Sequence, residues 1–184
     1  MGKLIYSMGV SLDGYIVGPD GGFDWAMPDE EQHRFHNEQA RALGGHLLGR
    51  GLYETMLYWE TAEEDTSLPD YEREFAAVWK QLPKVVFSTT LAEVEGNARL
   101  ATGEPAEELA RLRQETDGDI AVGGATLAVA CIEQGLVDEY GPLVSPAVAG
   151  GGTPFLPPLE ERVELELVET RTFASRVVYM RYSA

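Results

Sequence analysis

Short apolar runs alternate with polar, helix-spaced segments along most of the chain. Residues 3–8 (KLIYSM) read as a first buried strand, running into SLDGYIVGPDGGFDW, whose Gly, Asp and Pro predict a long turn-filled loop. DEEQHRFHNEQARAL opens with three acids, favourable at a helix start, and is predicted as a helix ending at Gly44 and Gly45. HLLG is then a short strand, residues 50–56 a short helix, TAEEDTSLPD a surface connection, and YEREFAAVWKQL another helix. KVVFSTT, residues 84–90, is β-branched enough for a strand buried on both faces. AEELARLRQET is a helix with Pro105 in its first turn, DIAVGG a strand, and ATLAVACIEQG a helix closed by Gly135. LVDEYGPLVSPAVAGGGTPFLPP predicts a strand followed by a glycine-rich bend. The alternating segments 163–172 and 176–182 predict an antiparallel hairpin. The order defines an α/β protein, a mostly parallel sheet with an antiparallel end, as a single domain over residues 1–184.

Charge narrows the partners. Fourteen Lys and Arg stand against 31 Asp and Glu, a net charge of -17 that repels phosphate backbones and anionic lipid, so neither nucleic acid nor membrane is an expected partner. The one cysteine, Cys131, lies in the apolar string LAVACIEQGL, which rules out an intrachain disulfide and predicts a small buried hydrophobe. No apolar run reaches the ~18 residues of a membrane span. The start MGKLIYSMGV is too mixed for a signal peptide, so a cytoplasmic protein is expected.

Candidate chemistry gathers at strand ends, where α/β sheets bind ligands and helix starts offer free N–H groups. Three ends qualify. In LLGRGLYETM, Gly49 precedes a helix whose first residue is Arg50, a fork-shaped donor suited to a phosphate ester. In VVFSTT, the hydroxyls of Ser88, Thr89 and Thr90 end a strand, and in AVGGATL two glycines, Gly123 and Gly124, allow close approach to the main chain. The chain lacks G-x-G-x-x-G and G-x-x-x-x-G-K-[ST], so neither a Rossmann fingerprint nor a P-loop is present. His33 and His36 stand three apart on a helix without a third ligand, a spacing read as a solvated face, and His46 as structural; no metal site is expected.

In their order SLDGYI, LLGRGLYE, VVFSTT, AVGGATL, GLVDEY and PAVAGGGTPF resemble the dihydrofolate reductase superfamily, specifically the branch of the C-terminal reductase domain of bifunctional riboflavin-biosynthesis proteins. The resemblance spans nearly the whole chain, and the deaminase part of those proteins, with its Cys-x-x-Cys, is absent. It implies a dihydrofolate-reductase-like, three-layer α/β/α fold binding NADPH across the strand ends. By position, Gly49 and Arg50 belong at the adenosine end, with Arg50 on the 2′-phosphate and Ser88, Thr89 and Thr90 completing that pocket. Gly123, Gly124, Ala125, Thr126 and Leu127 fall at the pyrophosphate and nicotinamide ribose, and the backbone of Gly9 and Ile16 at the carboxamide. Leu52 departs from the threonine often found there, which removes one phosphate hydroxyl.

The expected partner is a small heterocyclic substrate, pterin- or pyrimidine-like, with 5-amino-6-(5-phosphoribosylamino)uracil the substrate most often attached to this branch. For its proton donor, Asp13 in the first loop ranks first and Asp29 and Glu30 follow; for Asp29 the helix N-cap comes ahead of catalysis, and Asp13 is equally a turn aspartate. Two rivals remain: true dihydrofolate reduction through Asp29 or Glu30, and a non-catalytic nucleotide-binding or scaffold protein, which Leu52 keeps in play. The terminal hairpin and its free edge, together with the habit of the family, predict a homodimer.

Overall fold

In the computed structural model, which describes residues 2–159 and 162–184, β1 (Leu4–Ser11) runs from the N-terminus through the middle of the sheet. The loop after it contains a short strand, β2 (Tyr15–Val17), and one 3-10 turn. Then follow α1 (Glu30–Ala42), β3 (Leu43–Gly49), α2 (Arg50–Met56), α3 (Asp70–Gln81), β4 (Lys84–Phe87) and β5 (Ala98–Leu100). After α4 (Pro105–Glu115), β6 (Asp119–Gly123), α5 (Ala125–Glu133) and β7 (Glu139–Ser145), a two-residue β8 (Thr153–Pro154) precedes the hairpin β9 (Glu166–Thr172) and β10 (Val178–Ser183).

Eight strands form one sheet in the order β5-β4-β3-β6-β1-β7-β10-β9, parallel from β5 to β7 and antiparallel at β10 and β9. On one face Leu109 and Leu112 of α4 and Leu127, Ala128, Cys131 and Ile132 of α5 close over Leu4, Ile120 and Val122. On the other, Tyr53 of α2 and Trp79 of α3 cover Leu48 and Val86, while Phe35 of α1 packs on Leu143 and Tyr179. These are the three layers of the expected fold. Its parallel strands read as continuous apolar runs because both faces are covered.

The predicted helix starts hold. Asp29 caps α1, its carboxylate accepting from Gln32 N–H while the Gln32 side chain accepts from Asp29 N–H. Pro105 sits in the first turn of α4, and Gly135 follows α5 at φ 64°, the left-handed position that ends helices. One boundary differs. Gly44 and Gly45 do not end α1; they lie inside β3, which begins at Leu43 with no loop between. A Cβ on Gly44 would come 2.2 Å from Asp117 O, and one on Gly45 2.7 Å from Leu112 Cδ2, so the pair admits close neighbours in the sheet. The strands β5, β2 and β8 have no predicted counterpart, and the strand expected over 84–90 stops at Phe87.

Candidate functional site

The carboxyl ends of β5, β4, β3, β6 and β1 lie side by side, and one cleft of about 1180 Å³ runs across them. Four strand gaps of ~4.8 Å make it roughly 19 Å long. Its volume exceeds the ~300–1,000 Å³ of an ordinary small-ligand pocket, leaving room for an extended dinucleotide beside a second molecule.

At one end, Arg50 heads α2 immediately after Gly49, and its guanidinium donates to Thr90 Oγ1 at 3.1 Å. Ser88 Oγ accepts from the N–H groups of Thr90 and Leu91, at 3.1 and 3.0 Å, which folds the turn after β4 toward Arg50. Ser88, Thr89 and Thr90 all line the cleft. Arg50 and Glu104 are its two charged residues among those described.

In the middle, Gly124 stands at φ 97°. A Cβ there would lie 3.2 Å from the Cα of Gly49, so two neighbouring strand ends meet backbone to backbone. The first helical bond of α5 runs from Ala128 N–H to Gly124 O, and no side chain caps the helix. The N–H groups of Ala125, Thr126 and Leu127 therefore have no helical acceptor, and all three residues line the cleft. This is a cradle for an anionic group of the kind found at helix starts.

At the far end, Gly9 of β1 receives Ala26, whose Cβ lies 2.8 Å from where a Cβ of Gly9 would stand. Met8, Ile16, Val17 and Phe23 complete the wall, with Thr153 of β8 paired beside Val17. Every expected cofactor residue thus borders the cleft except Gly123, which is buried behind Leu52: a Cβ on it would fall 2.2 Å from Leu52 Cδ2. Leu52 itself faces the cleft.

The three carboxylates expected at the reaction centre lie outside the cleft lining. Asp13 accepts from Ser11 Oγ at 2.6 Å, Ala149 N–H at 2.9 Å and Gly150 N–H at 2.8 Å, tying the first loop to the glycine bend. These bonds, that from Ser11 foremost, hold its pKa down to about 2, so Asp13 is anionic at neutral pH and holds no proton to donate. Asp29 is occupied as the cap of α1, and Glu30 pairs with Arg34 at 2.9 Å.

His33 also differs from expectation. His33 is buried, 6% exposed, among Trp59, Tyr71 and Phe75, and burial lowers its pKa; the solvated-face reading is corrected. Among the described residues no three His, Cys, Asp or Glu gather as a metal site, and no helix is long and apolar enough to cross a membrane.

The sequence missed residues 101–104, which line the Arg50 end. Glu108, wholly buried, holds them: it accepts from Thr102 N–H at 2.8 Å and Gly103 N–H at 3.0 Å and pairs with Arg99 at 2.6 Å and Arg111 at 3.0 Å. Burial pushes its pKa up, but these donors outweigh burial and keep the carboxyl below its usual range. A Glu at helix spacing in AEELARLRQET gives no sign of this.

Fold and cleft define a three-layer α/β protein with a cleft across the carboxyl ends of its parallel strands, the place where open α/β sheets bind ligands. The chain belongs to the RibD C-terminal domain family, whose model matches residues 2–179. It is 32% identical over 181 residues to the uncharacterized protein YyaP of Bacillus subtilis, covering 98% of this chain and 94% of that one. A Shewanella sp. PV-4 structure named for riboflavin biosynthesis superposes with a TM-score of 0.77 at 21% identity, covering 98% of each chain. A diaminohydroxyphosphoribosylaminopyrimidine deaminase/5-amino-6-(5-phosphoribosylamino)uracil reductase of Thermotoga maritima gives a TM-score of 0.69 at 15% identity, over 99% of this chain and 56% of that one.

Proposed function

We propose that this protein is an NADPH-dependent reductase that passes a hydride to a pterin- or pyrimidine-like heterocyclic substrate, in the manner of the riboflavin-pathway reductases. The observation that carries the reading is the single cleft that gathers Arg50, the hydroxyls of residues 88–90, the open N–H groups of α5 and the backbone of Gly9 and Ile16 in the order an extended dinucleotide would meet them. Family membership supports it, as does the reductase activity in the name of the Thermotoga protein.

In this reading Arg50, with Thr90 already at its guanidinium, takes the 2′-phosphate, and Ser88 and Thr89 close the pocket. The N–H groups of Ala125, Thr126 and Leu127 take the pyrophosphate, with Gly124 keeping the approach open and Gly123 giving Leu52 its seat. Gly9 and Ile16 offer backbone groups to the carboxamide. A bound nicotinamide would supply the electron pair as hydride; the protein's part is to hold and orient the two partners against one another. Asp13 is a positioning residue, holding the bend that carries Thr153 into the cleft. Asp29 and Glu30, the residues on which true dihydrofolate reduction would depend, are engaged at the start of α1 and receive no role in the chemistry. A homodimer and a cytoplasmic location belong to the same proposal.

Titration calorimetry tests it. Arg50→Ala removes a charge-assisted donor worth about 1.5–3 kcal/mol to a phosphate, so NADPH should weaken by roughly 10–150-fold while NADH changes little. Equal losses for both cofactors would refute the role of Arg50, and a wild-type protein without affinity for NADPH would refute the cofactor.

A further inference from the structure

The two ends of the cleft differ in charge. One end holds both charged residues, Arg50 and Glu104, among hydroxyls; the other is walled by Met8, Ile16, Val17, Phe23 and Ala26, with Thr153 as the polar side chain. The chain segments that build this far end contain no Lys or Arg, neither in residues 4–33 nor in residues 114–159. The first loop, which supplies Ile16, Val17, Phe23 and Ala26 to this wall, carries only acidic charges, Asp13, Asp20 and Asp24. Of the fourteen Lys and Arg, Arg50 alone lines the cleft among the described residues.

We infer that the substrate taken at this end is neutral and unphosphorylated, and that its proton comes from water. This rests on the cofactor reading above, which assigns Arg50 to the other end. A phosphate monoester carries roughly -1.5 to -2 charge near neutral pH. Set against apolar walls beside anionic loops, it would lose its hydration without gaining a counter-ion. A flat uncharged ring meets the opposite situation, since Phe23, Ile16 and Val17 offer it apolar surface and Thr153 a hydrogen bond.

Among the described residues, those lining this end include no carboxyl, imidazole, amine, phenol or thiol. In the reaction, a C=N or C=O carbon of the substrate accepts the hydride pair and its π electrons pass to the heteroatom. That heteroatom takes one proton from water, leaving hydroxide to the buffer, and the oxidised cofactor departs. Electrons and protons balance without a protein acid.

The test compares matched probes on the intact protein saturated with NADPH, saturation being established first by calorimetry. The probes are 5-amino-6-(ribosylamino)uracil with its 5-phosphate, and hydroxymethyl-dihydropterin with its phosphate ester. Loss of reduced-nicotinamide absorbance gives kcat/KM for each. The expected result is a preference for the neutral member of at least about ten-fold, close to 1.4 kcal/mol, in every pair that reacts. Equal values, a preference for the ester, or no oxidation by either neutral probe with NADPH bound would overturn the inference and leave the cofactor reading standing. A failure of NADPH to bind would overturn both.

Discussion

Gly124 shows how one residue can be decided by both its neighbours and its own backbone. Its φ of 97° lies where a side chain is strained, and the Cα of Gly49 stands 3.2 Å from the site of a Cβ. Gly124→Ala should therefore cost about 1–3 kcal/mol, read as a shift in denaturant midpoint, and should weaken NADPH by displacing the first N–H groups of α5. Gly51→Ala is the control: it too lines the cleft but has nothing within 4 Å of its Cβ position, so stability should hold. Two glycines adjacent in sequence thus do different work, Gly124 shaping the cleft and Gly123 making room for Leu52. Asp13 shows the converse. A carboxylate in a long loop looks like an acid for chemistry, but the bonds from Ser11, Ala149 and Gly150 take up both of its oxygens, and two of those donors lie more than 130 residues away.

Among the elements, the Arg50 end depends on one buried carboxylate. Glu108 on α4 turns its side chain back onto residues 102–103, just after β5, with Arg99 and Arg111 as counter-ions. Glu108→Ala would leave two arginines and two N–H groups without their acceptor. Because both arginines are partly solvated, a loss of about 2–3 kcal/mol is expected, below the value for a fully buried pair. Chemical denaturation checks the stability, and a several-fold weaker NADPH by calorimetry would show that the loop shapes the cleft. The long helices and the apolar parallel strands were legible because their periodicity is local. β5, three residues long, and β8, two residues long, were not: each is a strand only because β4 or β2 lies beside it. Gly44 and Gly45 misled because glycine marks a helix end and a close approach equally well.

At the scale of the molecule, the free edge of the sheet and the charge act against one another. β9 closes the sheet with Leu167 and Val168 55% and 47% exposed and its outer edge unpaired among the described residues, a surface suited to a second copy. A net charge of -17 on each copy opposes that pairing over the ~10 Å reach of electrostatics at 0.1 M salt. The proposed homodimer should accordingly tighten as salt screens the repulsion. Light scattering should show mass moving from one copy toward two between low and moderate ionic strength. Leu167→Lys should keep the protein monomeric throughout; a mass that ignores both salt and this substitution would exclude the β9 edge as the interface.

By itself the sequence determined the α/β class, the helices α1 to α5, the cap at Asp29, the first-turn proline Pro105, and the order of strand ends along which Gly49, Arg50, residues 88–90 and Gly124 fall. All of these depend on local periodicity, on capping chemistry, or on motif order. Tertiary structure decided what those residues face. It buried Gly123 behind Leu52, took Asp13, Asp29 and Glu30 out of the cleft, brought residues 101–104 into it through Glu108, and left one end without a cation. Each of these outcomes depends on contacts between distant segments, and a charge or a glycine in one stretch of sequence does not show what will lie against it.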